Sequence, residues 1–322
     1  MRRNGLDCLS EADGEDKYLV QSIRDIFEQN IRLLGEIDKA VYYFREQRCD
    51  KALGHIANSI DGVKVSIEAI ISNREYFNVV NTESMLEMLT GILEAKKNRD
   101  FVLLADLLEL QLINFLIGVQ ELILSKEEIE FDEAVYRDNT ELLLTHSVGL
   151  EERLKEPINT TELVESGYRI EFTSCGLMTL AAVNEGATFY FHTNNRVQYE
   201  AFQLAKYWYR ENQSSYLLYG FGMGYHISEL LTLDPEAQIT IFEADANVLQ
   251  LACAFTNLGR VFRSQKVKLV YDPDFTLLKE HLLQPEALEQ LRVHYPSFMN
   301  ISNPEGRSLL ASALPWLETI ES

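Results

Sequence analysis

The sequence predicts an α + α/β protein, in which an N-terminal up-and-down helical bundle precedes a small β-meander and a three-layer α/β domain. Three observations predict it. Apolar residues recur every three or four positions from Tyr18 to Ile123, the spacing of amphipathic helices. Strand-like runs begin only at Gly167, and after residue 215 apolar strands alternate with helical segments, as in a parallel sheet. We therefore expect two domains, residues 1–155 and 156–322.

Composition and charge narrow the classes of partner and the cellular location that the sequence predicts. Of the 322 residues, 50 are acidic and 29 basic, for a net charge of −21. Nucleic acid and anionic membrane surfaces would repel this balance, so we expect neither as a partner. No secretory signal is evident, and no apolar run is expected to reach the roughly 18 residues of a membrane span. The cysteines are scattered and read as reduced thiols: Cys8, Cys49, Cys175 and Cys253. The sequence therefore predicts a cytoplasmic protein.

The bundle is predicted from four apolar stripes, which cover residues 31–44, 53–70, 85–92 and 101–122. Asn81 or Thr82 and then Asp100 stand where the third and fourth helices would need N-caps. Long helices with short connections favour an antiparallel bundle. A further helix is expected over residues 140–155.

Little in the bundle indicates chemistry. Metal sites in bundles use inward Glu-x-x-His pairs, and His55 has no Glu three residues before it. Asp106 and Glu109 lie three positions apart within an apolar helix, and we expect them at a solvated or capped edge. The bundle is therefore predicted to bind a protein partner, with a homodimer as one form of that.

A β-meander is predicted next. Side chains suited to the two faces of a strand alternate over residues 168–172, and a second strand-like run covers residues 177–183. Residues 184–186 make a tight turn, and residues 187–192 form a third strand. A helix over residues 199–210 leads out of it.

The most informative segment is the strand 215–219 followed by Gly220, Gly222 and Gly224 and then a helix. Such glycines allow a sharp turn close to a ligand, and the helix N-terminus offers free N–H groups. About twenty residues on, strand 238–242 ends in an acidic pair, where these folds accept ribose hydroxyls. A third strand, 267–271, is also followed by an acid. The predicted ligand-binding residues are Gly220, Gly222, Gly224, Tyr225, His226, Glu243, Asp245 and Asp272.

Alternatives remain open at these positions. The glycines can serve only close helix–strand packing, and His226 can be a helix-start residue bonded to the loop. His294 and Tyr295 follow a fourth strand and are further candidates for ligand contact. The sequence shows no nucleophile elbow, P-loop or metal-ligand spacing. It therefore identifies no catalytic residue and no metal site.

The glycine segment and the two acids resemble the S-adenosylmethionine-dependent methyltransferases. Glu243 and Asp272 match that family, whereas Leu218 replaces the acid that usually precedes the first glycine by two residues. The segment 291–298 stands in place of the family's acidic, proline-bearing motif. The resemblance implies a Rossmann-like fold of methyltransferase type.

Residues 165–320 are more similar to the N-terminal domain of the motility-associated factor (Maf) flagellin glycosyltransferases. The shared pattern is the meander ending at residues 191–193, the pair Glu200-Ala201, and Gly220 to His226 with an acid after the next strand. The domain that transfers sugar in those proteins is expected to be missing. The resemblance implies an accessory or partner-binding protein of a surface glycosylation or motility system.

Three functional hypotheses follow. The first is this Maf-like accessory protein, with a nucleotide or nucleotide-sugar bound at the glycine turn. The second is an S-adenosylmethionine-dependent methyltransferase with a variant first motif. The third is a nucleotide-sugar enzyme that keeps its own site here. The candidate ligands are accordingly S-adenosylmethionine and nucleotide sugars.

Overall fold

The computed structural model describes residues 14–127, 132–154, 158–184 and 186–319. Their contacts divide them into two compact units. The first comprises residues 14–127 together with Phe172–Leu177, and the second comprises residues 132–171 and 178–319. Helices followed by a parallel sheet with helices confirm the α + α/β class.

The first unit is helical. Its elements are α1 (Gly14–Arg45), α2 (Cys49–Ser72), α3 (Thr82–Lys97), α4 (Phe101–Leu107), a π-helical turn (Leu108–Leu112) and α5 (Ile113–Lys126). Helix α1 packs along α2 and against α4 and α5, while α3 packs on α4. The four predicted helical segments are confirmed.

Two of the three candidate caps are also confirmed. The side chain of Asn81 accepts the backbone N–H groups of Glu83 and Ser84, and that of Asp100 accepts the N–H of Leu103 at 3.0 Å. Thr82 is instead the first helical residue. These side chains satisfy N–H groups that have no partner within the helix.

A buried amide network lies inside this unit. The Nε2 atom of Gln120 donates to the carbonyl oxygens of Phe27 at 3.1 Å and Cys175 at 3.3 Å. Asn30 donates to Gln120 Oε1 at 3.4 Å and accepts from the hydroxyl of Ser66 at 3.0 Å. Buried polar groups are stable when paired in this way. The network explains why Phe172–Leu177 clusters with the first unit.

The acidic pair in the fourth helical segment lies at a solvated edge, as expected. Arg45 Nη2 contacts Asp106 Oδ1 at 2.6 Å and Glu109 Oε2 at 2.9 Å, and all three side chains are at least one third exposed. They form a surface ion-pair cluster.

One expectation was wrong. The segment Phe101–Lys126 has a mean hydropathy of 1.9 over 18 residues, so its length and composition suffice to cross a membrane. In the first unit it buries Leu104, Leu108 and Leu116 among the other helices. Core helices of globular proteins share this composition, because a helix apolar on most sides is suited to burial in either setting.

The second unit contains two sheets. Its strands are β1 (Ser147–Val148), β2 (Tyr168–Phe172), β3 (Met178–Asn184), β4 (Ala187–Tyr190), β5 (Ser215–Tyr219), β6 (Gln238–Glu243), β7 (Val267–Tyr271) and β8 (Leu291–Val293). Strands β2-β3-β4 form the expected meander, with β3 and β4 antiparallel. Glu185 of the predicted turn lies outside the described residues. The larger sheet has the order β1-β7-β6-β5-β8, and its described pairings are all parallel.

Helices connect and flank these strands. They are α6 (Glu133–His146), α7 (Thr160–Glu165), α8 (Val197–Trp208), α9 (Tyr225–Leu233), α10 (Ala246–Phe255), α11 (Gly259–Phe262), α12 (Thr276–Leu282), α13 (Ala287–Gln290), α14 (Tyr295–Met299), α15 (Pro304–Ala313) and α16 (Trp316–Thr319). Leu314 and Pro315 separate the last two helices, α15 and α16. Proline at 315 cannot donate the backbone hydrogen bond that a continuous helix needs.

The structure assigns residues 132–154 differently from the sequence. A helix was expected at 140–155 within the bundle, but α6 ends at His146, and β1 then pairs in parallel with β7. Asn139 on α6 donates to the carbonyl oxygens of Cys253 and Thr256, at 2.8 and 2.7 Å, and accepts from Leu258 N–H at 3.2 Å. The two units therefore divide near residue 130, whereas the sequence analysis placed the boundary at 155.

Candidate functional site

The carboxyl ends of β5, β6 and β7 border a cavity of about 390 Å³ in the second unit. Ligands of open α/β sheets bind at this edge, and the volume lies within the range of small-molecule pockets. The lining is largely polar. Tyr219 and Phe275, with ring centroids 5.4 Å apart, supply an aromatic wall.

Glu243 lies at the tip of β6 on the cavity wall. Its Oε2 accepts the N–H of Phe221 at 2.9 Å, and its Oε1 accepts the N–H groups of Ala244 at 2.9 Å and Asp245 at 3.0 Å. Burial nevertheless raises the pKa of this carboxyl to about 7 against the effect of these donors. The side chain ties the glycine turn to the end of β6.

Asp245 forms the second acidic contact of the cavity. Its Oδ1 accepts the N–H of Asn247 at 2.9 Å, which caps α10. Its Oδ2 accepts from the hydroxyl of Tyr168 and from Asn300 Nδ2, the latter at 2.8 Å. Burial and the charge of Asp245 raise the pKa of Tyr168 well above its ordinary value, so this phenol remains a hydrogen-bond donor.

When ionised, as Glu243 is above its pKa of about 7, a carboxylate has about four acceptor positions. Glu243 uses three of them on backbone N–H groups. Asp245 also uses three. Each therefore retains about one position, and both residues line the cavity. The pair can accept two hydroxyl donors from one ligand.

The glycine turn itself is filled by side chains. All three glycines have positive φ, at 98°, 52° and 77° for Gly220, Gly222 and Gly224. A Cβ on Gly220 would lie 2.4 Å from Ser297 Cβ, and one on Gly222 would lie 3.0 Å from His192 Nε2. The turn requires glycine both for its backbone angles and for this close approach.

Three buried histidines meet beside the turn. His192 follows β4, His226 is on α9, and His294 follows β8; all are at most 2% exposed. The rings of His226 and His294 stack with centroids 4.5 Å apart and an interplanar angle of 12°. Burial lowers the pKa of His226 to about 3 and that of His294 well below its ordinary range, so both are neutral.

The structure separates the predicted ligand-binding residues into two groups. Glu243 and Asp245 line the cavity, whereas the three glycines, Tyr225, His226 and Asp272 do not. Tyr225 donates its hydroxyl to Met178 O at 2.9 Å, and His226 Nε2 lies 3.3 Å from Gly220 O. Asp272 accepts the N–H of Leu278 at 2.8 Å in the first turn of α12.

Sequence reasoning missed the residues opposite the acids. Tyr168 lies on β2, in the meander, and Asn300 follows α14, so 132 positions separate two side chains that hydrogen-bond each other at 3.1 Å. No local pattern marks either residue. The tertiary fold brings them to Asp245 from two separate segments.

Residues 21–122, within the first unit, match the family model described as "Domain of unknown function (DUF8042)". No curated protein and no solved structure matches the chain. Over its helical unit the chain is thus similar to a family whose description names no activity.

Proposed function

We propose that the second unit is a Rossmann-like domain that binds a nucleoside-containing ligand in the cavity beside Glu243 and Asp245. The strand order supports the fold. Numbered along the chain, β7-β6-β5-β8 is the order 3-2-1-4 of doubly wound nucleotide-binding sheets. Glu243 ends the second of these strands, the position at which such folds hold ribose.

The observation that carries the proposal is the pair of unused acceptor positions on Glu243 and Asp245. A ribose offers two neighbouring hydroxyl donors, which would fill both positions. The aromatic wall of Tyr219 and Phe275 suits the flat base that accompanies a ribose.

The acidic charge of the cavity favours a cationic ligand over a diphosphate. Glu243 and Asp245 are acidic, and among the described residues Arg153 is the one Lys or Arg of the lining. A diphosphate would meet little compensating charge, whereas the sulfonium of S-adenosylmethionine would be attracted. S-adenosylmethionine is therefore the second candidate, although Leu218, fully buried, takes the place of the acid that holds its amino group in methyltransferases.

The test is calorimetric titration with adenosine, cytidine and uridine, their 2′-deoxy forms, S-adenosylmethionine and UDP- and CMP-sugars. We expect at least one ribonucleoside compound to bind about tenfold more tightly than its 2′-deoxy form, as one hydrogen bond to a charged group predicts. Asp245→Ala removes every acceptor position of this side chain and should abolish that preference. Glu280→Gln, an exposed carboxylate on α12, is the control.

Two results would overturn the proposal: binding of none of these compounds, or equal affinity for ribose and deoxyribose forms. Tight binding of S-adenosylmethionine alone would favour the methyltransferase alternative. Tight binding of a nucleotide sugar would favour the glycosylation context.

We further propose that the helical unit binds a second copy of the chain. Its support is a set of apolar side chains more than half exposed: Val79, Leu86, Leu93, Val102 and Leu110. Leu86 and Leu93 are two helical turns apart and share one face of α3. Light scattering after size exclusion should show a dimer that Leu93→Glu dissociates and Glu94→Gln does not. A monomer at all concentrations contradicts this.

The biological setting is proposed from the resemblance to the Maf domain. In that setting the protein is a cytoplasmic accessory factor of surface glycosylation or motility, and the cavity senses or presents a nucleotide-linked ligand. Deletion of the gene should then reduce the glycan mass on surface proteins, measured by mass spectrometry.

A further inference from the structure

We propose that His192, His226 and His294 bind a divalent transition-metal ion such as Zn²⁺, at a site distinct from the nucleoside cavity. Each histidine offers one ring nitrogen, and the three nitrogens lie within 4.8 Å of one another. None of the three residues lines the cavity. Imidazole nitrogen is a preferred zinc ligand, and three histidines with an open fourth position form a known kind of zinc site.

The surroundings of the rings resemble the outer shell of a metal site. A metal-binding histidine uses its other ring nitrogen to donate to an oxygen acceptor, which fixes the ring and its tautomer. Each ring here has such a neighbour: Glu200 Oε1 lies 3.3 Å from His192 Nδ1, Gly220 O lies 3.3 Å from His226 Nε2, and Ser297 Oγ lies 2.9 Å from His294 Nδ1.

Within the described part of the chain, two of the remaining ring nitrogens are buried without a partner. His226 Nδ1 and His294 Nε2 have no hydrogen-bond partner among the described residues. The backbone of Phe191 also contacts the His294 ring. His192 Nε2 accepts only a 3.2 Å contact from Met223 N–H. Buried nitrogens without a partner are unfavourable, and a cation would satisfy both.

The glycine turn packs directly against the triad. A Cβ on Gly222 would lie 3.0 Å from His192 Nε2 and 3.1 Å from His294 Cε1. Glycine at this position avoids an overlap with two of the rings.

Binding requires a small rearrangement. Zinc–nitrogen bonds of about 2.1 Å in a tetrahedral site place the nitrogens about 3.4 Å apart. The triad must therefore contract, and one of the stacked rings, His226 or His294, must turn so that both lone pairs reach the ion. The apo and metal-bound proteins should differ in the NMR signals of these two rings.

The experiment uses the full chain after chelator treatment, titrated with Co²⁺ and then Zn²⁺. We expect one equivalent of Co²⁺ to give the visible absorption of a four-coordinate site and Zn²⁺ to displace it. His294→Gln should abolish the absorption. His281→Gln, which alters a histidine on α12 outside the triad, should leave it unchanged.

A second variant keeps the test decisive if His294→Gln does not fold by circular dichroism. Glu200 is about one third exposed and contacts His192 without belonging to the triad. Glu200→Gln should weaken Zn²⁺ binding about 10- to 100-fold, the usual effect of removing an outer-shell carboxylate. The proposal is overturned if the wild type binds neither ion stoichiometrically, or if Glu200→Gln binds as tightly as His281→Gln.

Discussion

At the scale of single residues, the glycine turn depends on the absence of a side chain at Gly220. Its φ of 98° is unfavourable for other residues, and an added Cβ would overlap Ser297. Gly186 has a similar φ of 83° in open space, with no atom within 4 Å of an added Cβ. A substitution at Gly186 therefore meets backbone strain alone, whereas one at Gly220 meets backbone strain and steric overlap together.

We therefore expect Gly220→Ala to destabilise the protein more than Gly186→Ala does. Gly186→Ala should cost about 1–2 kcal/mol from the positive φ alone. Gly220→Ala adds the overlap and should cost at least about 2 kcal/mol more. Urea denaturation would measure both. If Ser297→Gly fails to restore part of the loss in Gly220→Ala, the overlap is not its cause.

Glu243 gives the stability a pH dependence. Burial raises its pKa in the folded protein from 4.5 to about 7, so the folded state favours the protonated form. The stabilisation of the folded state by protonated Glu243 is fully present below about pH 4.5 and is lost as the pH rises through about 7. Asp245, Tyr168 and Tyr219 are the other titratable groups facing it.

Glu243→Gln should therefore flatten the stability profile between pH 5 and 8. The wild type is expected to lose on the order of 3 kcal/mol over this interval relative to the variant. Denaturant titrations at several pH values measure this difference, with Glu280→Gln as the control for a solvated carboxylate. Parallel profiles for wild type and Glu243→Gln would contradict the assignment.

The sequence indicated an important acid at residue 243 but not its role. A carboxyl at a strand tip is consistent with ligand binding, and only the folded chain shows three backbone N–H groups around it. The sequence singled out His226 and His294 as separate candidates but gave no sign that they meet His192. The members of the triad are up to 102 positions apart, since 294 − 192 = 102, and lie on three separate segments.

At the scale of elements, helix periodicity and capping were sufficient to predict the first four helical segments. The assignment of α6 failed because an amphipathic stripe shows that a helix is partly buried but not which core receives it. Strand β1 has two residues, too few for any alternation. Its place in the sheet comes only from its pairing with β7.

Asn139 on α6 hydrogen-bonds the end of α10 and the residues that follow it. Its substitution should show how much these bonds contribute to the free energy of unfolding. Asn139→Ala leaves two carbonyls and one N–H without their buried partner, and we expect a loss of about 2–4 kcal/mol. Asp138→Ala, at the adjacent exposed position, should change stability by less than about 0.5 kcal/mol. Thermal unfolding would measure both, and equal melting temperatures would refute that contribution.

At the scale of the whole chain, the position of the division between the units has a direct test. A fragment starting at residue 131 keeps α6 and β1, whereas one starting at residue 156 removes both. We expect the longer fragment to give a cooperative melt and the shorter one to melt at least about 5 °C lower or not to fold. Equal melting temperatures for the two fragments would contradict a boundary near residue 130 and support one at residue 155.

The two-unit organisation was predictable because helical and strand periodicities occupy different halves of the sequence. The inclusion of Phe172–Leu177 in the helical unit was not. It depends on Gln120, whose amide reaches the carbonyl of Cys175 across 55 positions. A long-range hydrogen bond of this kind leaves no periodic trace in the sequence.

The π-helical turn Leu108–Leu112 has a consequence for the phase of its helix. The core positions Leu104, Leu108, Leu112, Leu116 and Gln120 are each four residues apart, and in a regular α-helix this spacing drifts about 40° per step. One wide turn absorbs most of the accumulated drift, because it holds an extra residue. Deleting that extra residue would restore a regular α-helix and leave Leu116 and Gln120 facing the core. The same deletion in α5 just before Gln120 would rotate everything beyond it by about 100° and turn the Gln120 amide away from Phe27 and Cys175.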